Sequence, residues 1–165
     1  MKTIERTAVY SAPPEVVFHS LDDLGVTGMH MTQSSWMMMG SKLKLEYLTT
    51  NHSGPGTRYR WTGNMMGFKM DFEVEVTRWI PSEEKIWETR GKAQIIIYSW
   101  YRMHLRLRKV MKGTLVSLSI SYEKPEGGFY RLLSLLFADW YCKWCLKRML
   151  EDSRKLLEQT SNKSD

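Results

Sequence analysis

The sequence predicts an α+β fold in which a curved antiparallel β-sheet of about seven strands wraps around one long C-terminal α-helix. Apolar residues recur at every second position through much of residues 42–123, which is the period of a half-buried strand. Residues 129–159 then change to a helical period. A first strand at residues 2–10, rich in Thr, Ile, Val and Tyr, precedes one or two short helices that end before residue 40.

The composition is that of one globular domain. The chain has 165 residues, of which 42% are apolar and 25% are charged, so disorder and fibrous folds are excluded. Gly and Pro are too few for a flexible linker between two half-domains. We therefore expect a single domain over residues 1–160 and a polar tail over residues 161–165.

The charge and the apolar runs limit the partners. The net charge of +6 comes from 24 Lys and Arg against 18 Asp and Glu spread along the chain, which does not predict nucleic-acid binding. The most apolar stretch, residues 129–146, contains Arg131, Asp139 and Lys143, which a membrane span tolerates poorly. No signal-peptide run opens the sequence, and two cysteines make no disulfide framework. We expect a cytoplasmic protein without a transmembrane segment.

Two hairpins predict their own register. In each of them the polar faces and the apolar faces of both strands agree at once, and a one-residue slip would invert every side chain. The agreement supports an antiparallel order of consecutive strands. The predicted pairs are Arg60–Asp71, Arg58–Glu73, Tyr59–Phe72 and Trp61–Met70 in the first hairpin, and Leu107–Val116, Leu105–Leu118, Met103–Ile120 and Tyr101–Tyr122 in the second.

The final helix is the only predicted element long enough to cover the apolar face of the sheet. About 30 residues at about 1.5 Å each span roughly 45 Å. The large apolar residues of this helix share one face, and we predict that this face points at the sheet. They are Phe129, Leu132, Leu133, Leu136, Trp140, Trp144 and Met149.

Three short motifs make the chain similar to a known superfamily. They are Ser-Ala-Pro-Pro-Glu-Val-Val-Phe at residues 11–18, Gly-Pro-Gly-Thr-Arg-Tyr-Arg-Trp at 54–61 and Glu-Val-Thr-Arg-Trp-Ile-Pro at 75–81. Together with the long last helix they resemble the START/Bet v 1-like (SRPBCC) superfamily of helix-grip proteins, in particular its polyketide cyclase/dehydrase-like branch. The resemblance implies a hollow between the helix and the sheet. It implies no single chemistry, because that superfamily includes lipid carriers, metabolite binders and cyclases.

The residues predicted to face this hollow are bulky and rich in tyrosine, whose buried hydroxyls each need a hydrogen-bond partner. A pocket with a ligand or water would supply such partners, whereas the same side chains could instead fill the space and leave no void. The candidate ligand-binding residues are Tyr47, Tyr59, Trp61, Met70, Phe72, Trp87, Thr89, Ser99, Tyr101, Met103, Tyr122, Phe129, Leu133 and Trp140, and the candidates for a rim or gate are Arg6, Met29, His30, Trp36, Met65 and Met66.

These residues predict binding of a hydrophobic or aromatic small molecule, such as a lipid or a polyketide-like compound, in the cavity. One alternative is a polyketide cyclase or dehydratase that uses the same cavity; the catalytic residues are then unknown, because only His30 among the titratable side chains could reach in. A second alternative is binding to anionic membranes through the basic row Arg102–Lys112. The expected partner is thus a small hydrophobic ligand, and the oligomeric state stays open.

Two further patterns predict structure instead of chemistry. The Cys-x-x-Cys motif at residues 142–145 falls in the middle of a helix, where no helix N-terminus lowers a thiol pKa, and no histidine pair is spaced to complete a zinc site. Asp71, Glu73 and Glu75 form an acidic row that arginines of the preceding strand face. We expect no metal and no cofactor.

Overall fold

The computed structural model describes residues 1–32, 42–65 and 67–163, and the predicted α+β helix-grip fold is confirmed. Its elements, in chain order, are β1 (Lys2–Tyr10), α1 (Pro14–Asp22), α2 (Leu24–Thr27), α3 (Met29–Thr32), β2 (Leu43–Tyr47), β3 (Arg58–Met65), β4 (Phe68–Ile80), β5 (Glu84–Gln94), β6 (Trp100–Val110), β7 (Gly113–Glu123) and α4 (Gly128–Asn162).

All seven strands form one antiparallel sheet in the order β1-β7-β6-β5-β4-β3-β2. Each strand from β2 to β6 pairs with the next strand along the chain, and β1 pairs with β7. The pairing of β4 with β5 shifts register twice, and such bulges bend and twist a sheet. α4 packs on the apolar face of the sheet together with the short helices.

The two predicted hairpins form, and one has the predicted register. In the β6–β7 hairpin all four predicted pairs are confirmed. In the β3–β4 hairpin the prediction is wrong by two residues, since Trp61 pairs with Phe72 and not with Met70. The reason is a tighter turn: β3 extends to Met65 and β4 begins at Phe68. A shift of two residues keeps every side chain on its predicted face.

The connection between β5 and β6, residues 95–99, enters the core instead of forming a strand. Ile96, Ile97 and Tyr98 are all buried, so burial does not alternate there as it would in a half-buried strand. The sequence pattern alone would extend this strand back to about residue 95, which is an error of five residues, because β6 begins at Trp100. The same error explains why Ser99, predicted to face inward, is exposed.

In its first half the helix α4 presents to the sheet the face opposite to the predicted one, whereas Leu133, Trp144 and Met149 pack against the core as predicted. Ser134 and Ala138, both small, are buried in its first half, whereas Phe129 and Trp140 are 60% and 51% exposed. Of the predicted inward stripe only Met149 is fully buried. Small side chains let the helix approach the close-packed sheet, and large ones would hold it away.

A buried ion pair ties the end of α1 to β5. The Nζ of Lys85 lies 2.6 Å from Oδ1 of Asp22, and the two side chains are only 4% and 10% exposed. Burial acts to raise the pKa of Asp22, but Lys85, Ser53 and Trp79 together hold it below its usual value. The next residue, Asp23, caps α2, because its Oδ1 accepts a hydrogen bond of 2.7 Å from the Gly25 N–H.

Candidate functional site

An apolar cavity of about 80 Å³ lies between the sheet, α4 and the short helices α2 and α3. Every strand from β2 to β7 contributes to its wall, and aromatic and methionine side chains dominate it. The described residues that line it include no Asp, Glu, Lys or Arg. They are Leu24, Thr27, Gly28, His30, Met31, Leu43, Tyr59, Trp61, Met65, Met70, Phe72, Trp87, Ile95, Tyr98, Tyr101, Met103, Ile120, Tyr141, Cys145 and Met149.

Nine of the candidate residues from the sequence come together around this cavity. They lie on the inward face of the strands or in the first turn of α3. The alternation of apolar residues in the strands therefore predicted most of them. Their role in binding stays a prediction. They are Tyr59, Trp61, Met70, Phe72, Trp87, Tyr101 and Met103 from the ligand-binding set, and His30 and Met65 from the rim set.

Four candidates pack near the cavity without lining it. Tyr122 is buried, and its hydroxyl donates to a carboxylate of α4. Thr89 is buried and is hydrogen-bonded to the backbone of β6. Tyr47 is half-buried and stacks on an imidazole of the β2–β3 loop, with ring centroids 3.9 Å apart. Leu133 is half-buried against the core.

Three candidates point away from the cavity, so the predictions that they face inward are wrong. Phe129 and Trp140 are exposed because α4 turns its other face to the sheet. Ser99 is exposed because it ends the irregular connection before β6.

The remaining rim candidates do not form part of the wall. Arg6 is exposed on β1, although it shares the parity of inward residues, and Met29 is half-buried in α3. Neither lines the cavity. Trp36 and Met66 lie outside the described residues.

Sequence reasoning missed the part of the wall that comes from α4 and from the 95–99 connection. Tyr98, Tyr141 and Cys145 all line the cavity. A signal for the helix residues was present: Ala138, Tyr141, Cys145 and Met149 are spaced three and four apart, as one helix face requires. The prediction follows the stripe of larger side chains on the other face because that stripe is more hydrophobic.

The tyrosine hydroxyls around the cavity divide into two groups. Tyr98 shares a hydrogen bond of 3.0 Å with a cysteine thiol of α4, and Tyr141 donates to the Sδ of Met65 at 3.8 Å. The hydroxyls of Tyr59 and Tyr101 have no hydrogen-bond partner among the residues that the structure describes. Burial raises the pKa of both well above the usual range, so each is a neutral donor at neutral pH.

His30 is the only titratable nitrogen base in the described wall. It is 6% exposed, and its ring packs edge-on against Trp144 with centroids 5.5 Å apart. Its Nδ1 has no hydrogen-bond partner within the described part of the chain. Burial lowers the pKa of His30 to about 4, although the backbone of Thr27 opposes this shift. The imidazole is therefore neutral at neutral pH.

The two cysteines are inert thiols. Cys142 and Cys145 are free and buried. Burial raises the pKa of Cys142 to about 11 and raises that of Cys145 as well, so neither is a thiolate at neutral pH. Across residues 1–32, 42–65 and 67–163, no group of three or more His, Cys, Asp or Glu is placed to hold a metal ion.

The volume of the cavity limits what fits without a change in the wall. A cavity of about 150 Å³ accepts benzene, and this cavity has about half that volume. Unbranched thioether side chains change rotamer and repack easily, so the wall can widen without movement of the sheet. The methionines in the wall are Met31, Met65, Met70, Met103 and Met149.

The basic row on β6 is neutralised in part. Arg102 and His104 lie within ion-pair distance of glutamates on the neighbouring strand β5, and Arg106 lies within that distance of a glutamate on β1, two strands away. The sequence pattern does not reveal these partners, because the carboxylates come from β5 and β1. The row therefore offers less net charge to an anionic surface than expected. The partners are Glu88, Glu84 and Glu5, respectively.

The acidic row on β4 is paired in part, since the predicted Arg60–Asp71 ion pair forms and the predicted Arg58–Glu73 pair does not. Arg60 donates to both carboxylate oxygens of Asp71, at 2.7 and 2.6 Å, and Arg90 pairs with Glu75. These pairs lie on the outer face of the sheet. Separately, no helix in the described ranges is both long enough and apolar enough to cross a membrane.

Comparison with solved structures finds the same architecture in proteins of low sequence identity. The protein TTHA0849 from Thermus thermophilus is 20% identical with a TM-score of 0.71, and the match covers 97% of this chain and 99% of that one. Ara h 8.0201 is 13% identical with a TM-score of 0.61, over 92% and 97% of the two chains. No protein-family model and no curated protein matches the sequence.

A third similar structure is an enzyme with aromatic ligands. Norcoclaurine synthase from Thalictrum flavum, in complex with dopamine and hydroxybenzaldehyde, is 14% identical with a TM-score of 0.66, over 96% of this chain and 87% of that one. At these identities the likeness establishes the fold alone. The chain has the Bet v 1-like helix-grip fold, and its function has to be argued from the cavity.

Proposed function

We propose that this protein binds a small hydrophobic, aromatic molecule in the cavity between the sheet and α4. The observation that carries the proposal is an apolar wall with three polar groups that lack a partner within the described chain: the hydroxyls of Tyr59 and Tyr101 and the Nδ1 of His30. Burial of apolar ligand surface contributes about 25 cal/mol per Å² to the free energy of binding. The polar groups then orient a ligand that has a hydroxyl or carbonyl oxygen.

The chemistry of the wall favours an aromatic ligand over a long alkyl chain. Trp61, Phe72, Trp87 and Tyr101 all face the cavity, and aromatic rings gain from edge-on and offset contacts with one another. The similar norcoclaurine synthase holds dopamine and hydroxybenzaldehyde, which are aromatic molecules with hydroxyl groups. A polyketide-like phenol combines both features, and the sequence resemblance to the polyketide cyclase/dehydrase-like branch supports the same class.

Calorimetry with benzene, 1-naphthol and decanoic acid tests the proposal. Met103→Trp fills the cavity from β6, and Leu107→Trp is the matched control, because Leu107 is buried on the same face of the same strand but does not line the cavity. We expect 1-naphthol to bind the wild type and Leu107→Trp but not Met103→Trp. Absence of binding by all three probes, or equal binding by both variants, would contradict the proposal.

The Tyr101 hydroxyl of the wall is tested by its own substitution. Tyr101→Phe removes a hydroxyl without a partner among the described residues but keeps the ring, and we expect it to weaken binding of 1-naphthol about three- to ten-fold, the value of about one hydrogen bond. Tyr122→Phe is the control, because that hydroxyl bonds to Asp139 outside the cavity. Equal losses in the two variants would show that the effect is structural.

A cyclase or dehydratase is the second candidate function, and His30 is the observation that favours it. His30 lines the cavity as a neutral imidazole whose buried Nδ1 has no partner in the described chain, which makes it the candidate to accept a proton from a substrate. A pKa of about 4 makes it a weak base at neutral pH, and no carboxylate assists it in the described wall. Binding is therefore the better supported function. The enzyme function would become the better supported one if the protein turned over a polyketide-like substrate and His30→Gln abolished turnover without loss of affinity.

A further inference from the structure

The first half of α4 has an exposed apolar surface that no described part of the chain covers. Twelve large hydrophobic residues are exposed among those the structure describes, and seven of them fall within residues 129–140, while the other five are scattered. A scattered exposed apolar residue is ordinary, but a contiguous patch marks an interaction surface. We name residues 129–140 the apolar segment; its exposed members are Phe129, Tyr130, Leu132, Leu135, Leu136, Phe137 and Trp140.

The exposed side chains of the apolar segment do not form one narrow stripe. Leu135, Leu136 and Phe137 follow one another in sequence and are 58%, 63% and 46% exposed, so they point in directions about 100° apart around the helix. A rigid partner protein presents one face and would cover one side. A fluid apolar medium can surround side chains in several directions.

The basic side chains in and beside the apolar segment are unpaired within the described chain, and the exposed acidic residue nearest its start is Glu126. Arg131 and Lys143 are exposed and have no ion-pair partner within the described residues. The one acidic residue of the segment, Asp139, is already paired with Lys2 and accepts the hydroxyl of Tyr122. Two basic side chains beside exposed Leu, Phe and Trp match a helix that lies in the interface of an anionic membrane, where long basic side chains reach the headgroups.

The apolar segment also adjoins the cavity. Tyr141, directly after the segment, lines the cavity and donates to Met65 at the tip of β3. Phe68, at the start of β4, packs against Phe129 and Tyr130 with ring centroids 6.5 and 6.3 Å apart. The same end of the molecule therefore combines the exposed apolar side chains with one end of the cavity wall.

We propose that the apolar segment is a membrane-docking surface, which inserts its leucines and aromatic rings into the interfacial layer of an anionic lipid bilayer. Arg131 and Lys143 then contact the lipid phosphates. A docked molecule presents the adjoining cavity to molecules dissolved in the lipid. The docking itself does not depend on ligand binding, so a negative result for one of the two proposals leaves the other unaffected.

The experiment is vesicle co-sedimentation of the full chain. The vesicles are pure phosphatidylcholine, or phosphatidylcholine and phosphatidylglycerol in equal amounts. Leu136→Ser/Phe137→Ser removes two exposed apolar side chains, and Val16→Ser/Met111→Ser is the matched control, because these residues are also exposed and lie elsewhere. We expect the wild type and the control to bind the anionic vesicles, and the α4 variant to bind them about ten-fold more weakly.

A charge comparison separates this surface from the basic row on β6. Lys143→Glu reverses a charge beside the apolar segment, and Lys112→Glu reverses one at the end of the basic row; both side chains are exposed. We expect Lys143→Glu to weaken binding to anionic vesicles about five-fold or more and Lys112→Glu to have little effect. The opposite pattern would assign membrane binding to the basic row and overturn the proposal.

Two further outcomes would overturn the proposal. The first is absence of vesicle binding by the wild type. The second is self-association in the absence of lipid, measured by sedimentation velocity, if Leu136→Ser/Phe137→Ser abolishes it. That result would show that a second copy of the chain covers the apolar segment. Met103→Trp should bind vesicles as the wild type does, even though its cavity is filled. Circular dichroism of every variant checks that the fold is kept.

Discussion

Substitution of Asp22 tests whether the buried ion pair holds α1 and the short helices in place. Asp22→Asn leaves the Lys85 ammonium in a site that is only 4% exposed, where burial already acts to lower its pKa. Removal of one partner of a buried pair costs about 3–5 kcal/mol, a large part of the roughly 5–15 kcal/mol that stabilises a domain. With a urea m-value of about 2 kcal/mol/M, the unfolding midpoint should fall by about 2 M.

Two control variants make this prediction specific. Glu88→Gln breaks the ion pair with Arg102, which is 49% exposed, and should cost less than about 1 kcal/mol. Asp22→Leu/Lys85→Met removes both buried charges and should be nearly neutral. A loss below about 1 kcal/mol in Asp22→Asn, equal to that of Glu88→Gln, would refute the reasoning.

The pH dependence of this pair has a defined sign. The folded pKa of Asp22 lies below its unfolded value of 3.8, so the unfolded chain binds a proton more readily in acid. The stabilisation is fully present above that unfolded pKa and is lost as the pH falls through the folded pKa. Urea unfolding of the wild type and of Asp22→Asn should therefore converge in strong acid. A difference that stays constant down to low pH would contradict this assignment.

Three further predictions concern the cavity wall and the buried thiols of α4. Gly28→Ala would place a Cβ 2.7 Å from the ring of Trp61, and we expect a loss of about 1–3 kcal/mol in urea unfolding together with weaker binding of 1-naphthol. His30 has a folded pKa of about 4 against 6.5 unfolded, so the wild type should lose up to about 3 kcal/mol relative to His30→Gln between pH 6.5 and 4. Native Cys142 and Cys145 should react with a thiol reagent only at the rate of unfolding, because burial raises the pKa of both.

The contrary results for the cavity wall are equally specific. Unchanged stability and binding in Gly28→Ala would show that the contact with Trp61 relaxes freely. Parallel pH profiles for the wild type and His30→Gln would show that His30 is not buried as a neutral base. Fast labelling of the native thiols would contradict their burial.

The alternation of side chains in the strands was predictable because it is a local property. A half-buried strand has to alternate, so the inward residues of β3, β4 and β6 could be assigned from the sequence. The register of the β3–β4 hairpin was less certain, since a shift of two residues leaves Trp61 and Phe72 on the same face. Only the length of the turn decides between these registers. Gly63 and Gly67 are both acceptable ends of a turn, so the sequence does not determine that length.

The orientation of α4 could not be predicted from hydrophobicity. Both faces of the helix have apolar residues, and the more hydrophobic one, with Phe129 and Trp140, is exposed. Packing against the sheet selects the smaller residues Ser134 and Ala138, a choice that depends on the distance between helix and sheet and not on the sequence period. The cavity wall from Tyr98 depends in the same way on tertiary packing.

Whether the cavity admits an aromatic molecule decides the proposed function. Methyl NMR of the methionines during titration with benzene tests this most directly. We expect the methyl signals of Met31, Met70 and Met103 in the wall to shift and saturate, and those of Met1 and Met111, which are 86% and 102% exposed, to stay in place. Unchanged wall signals, or equal shifts at the wall and at the exposed methionines, would contradict the claim.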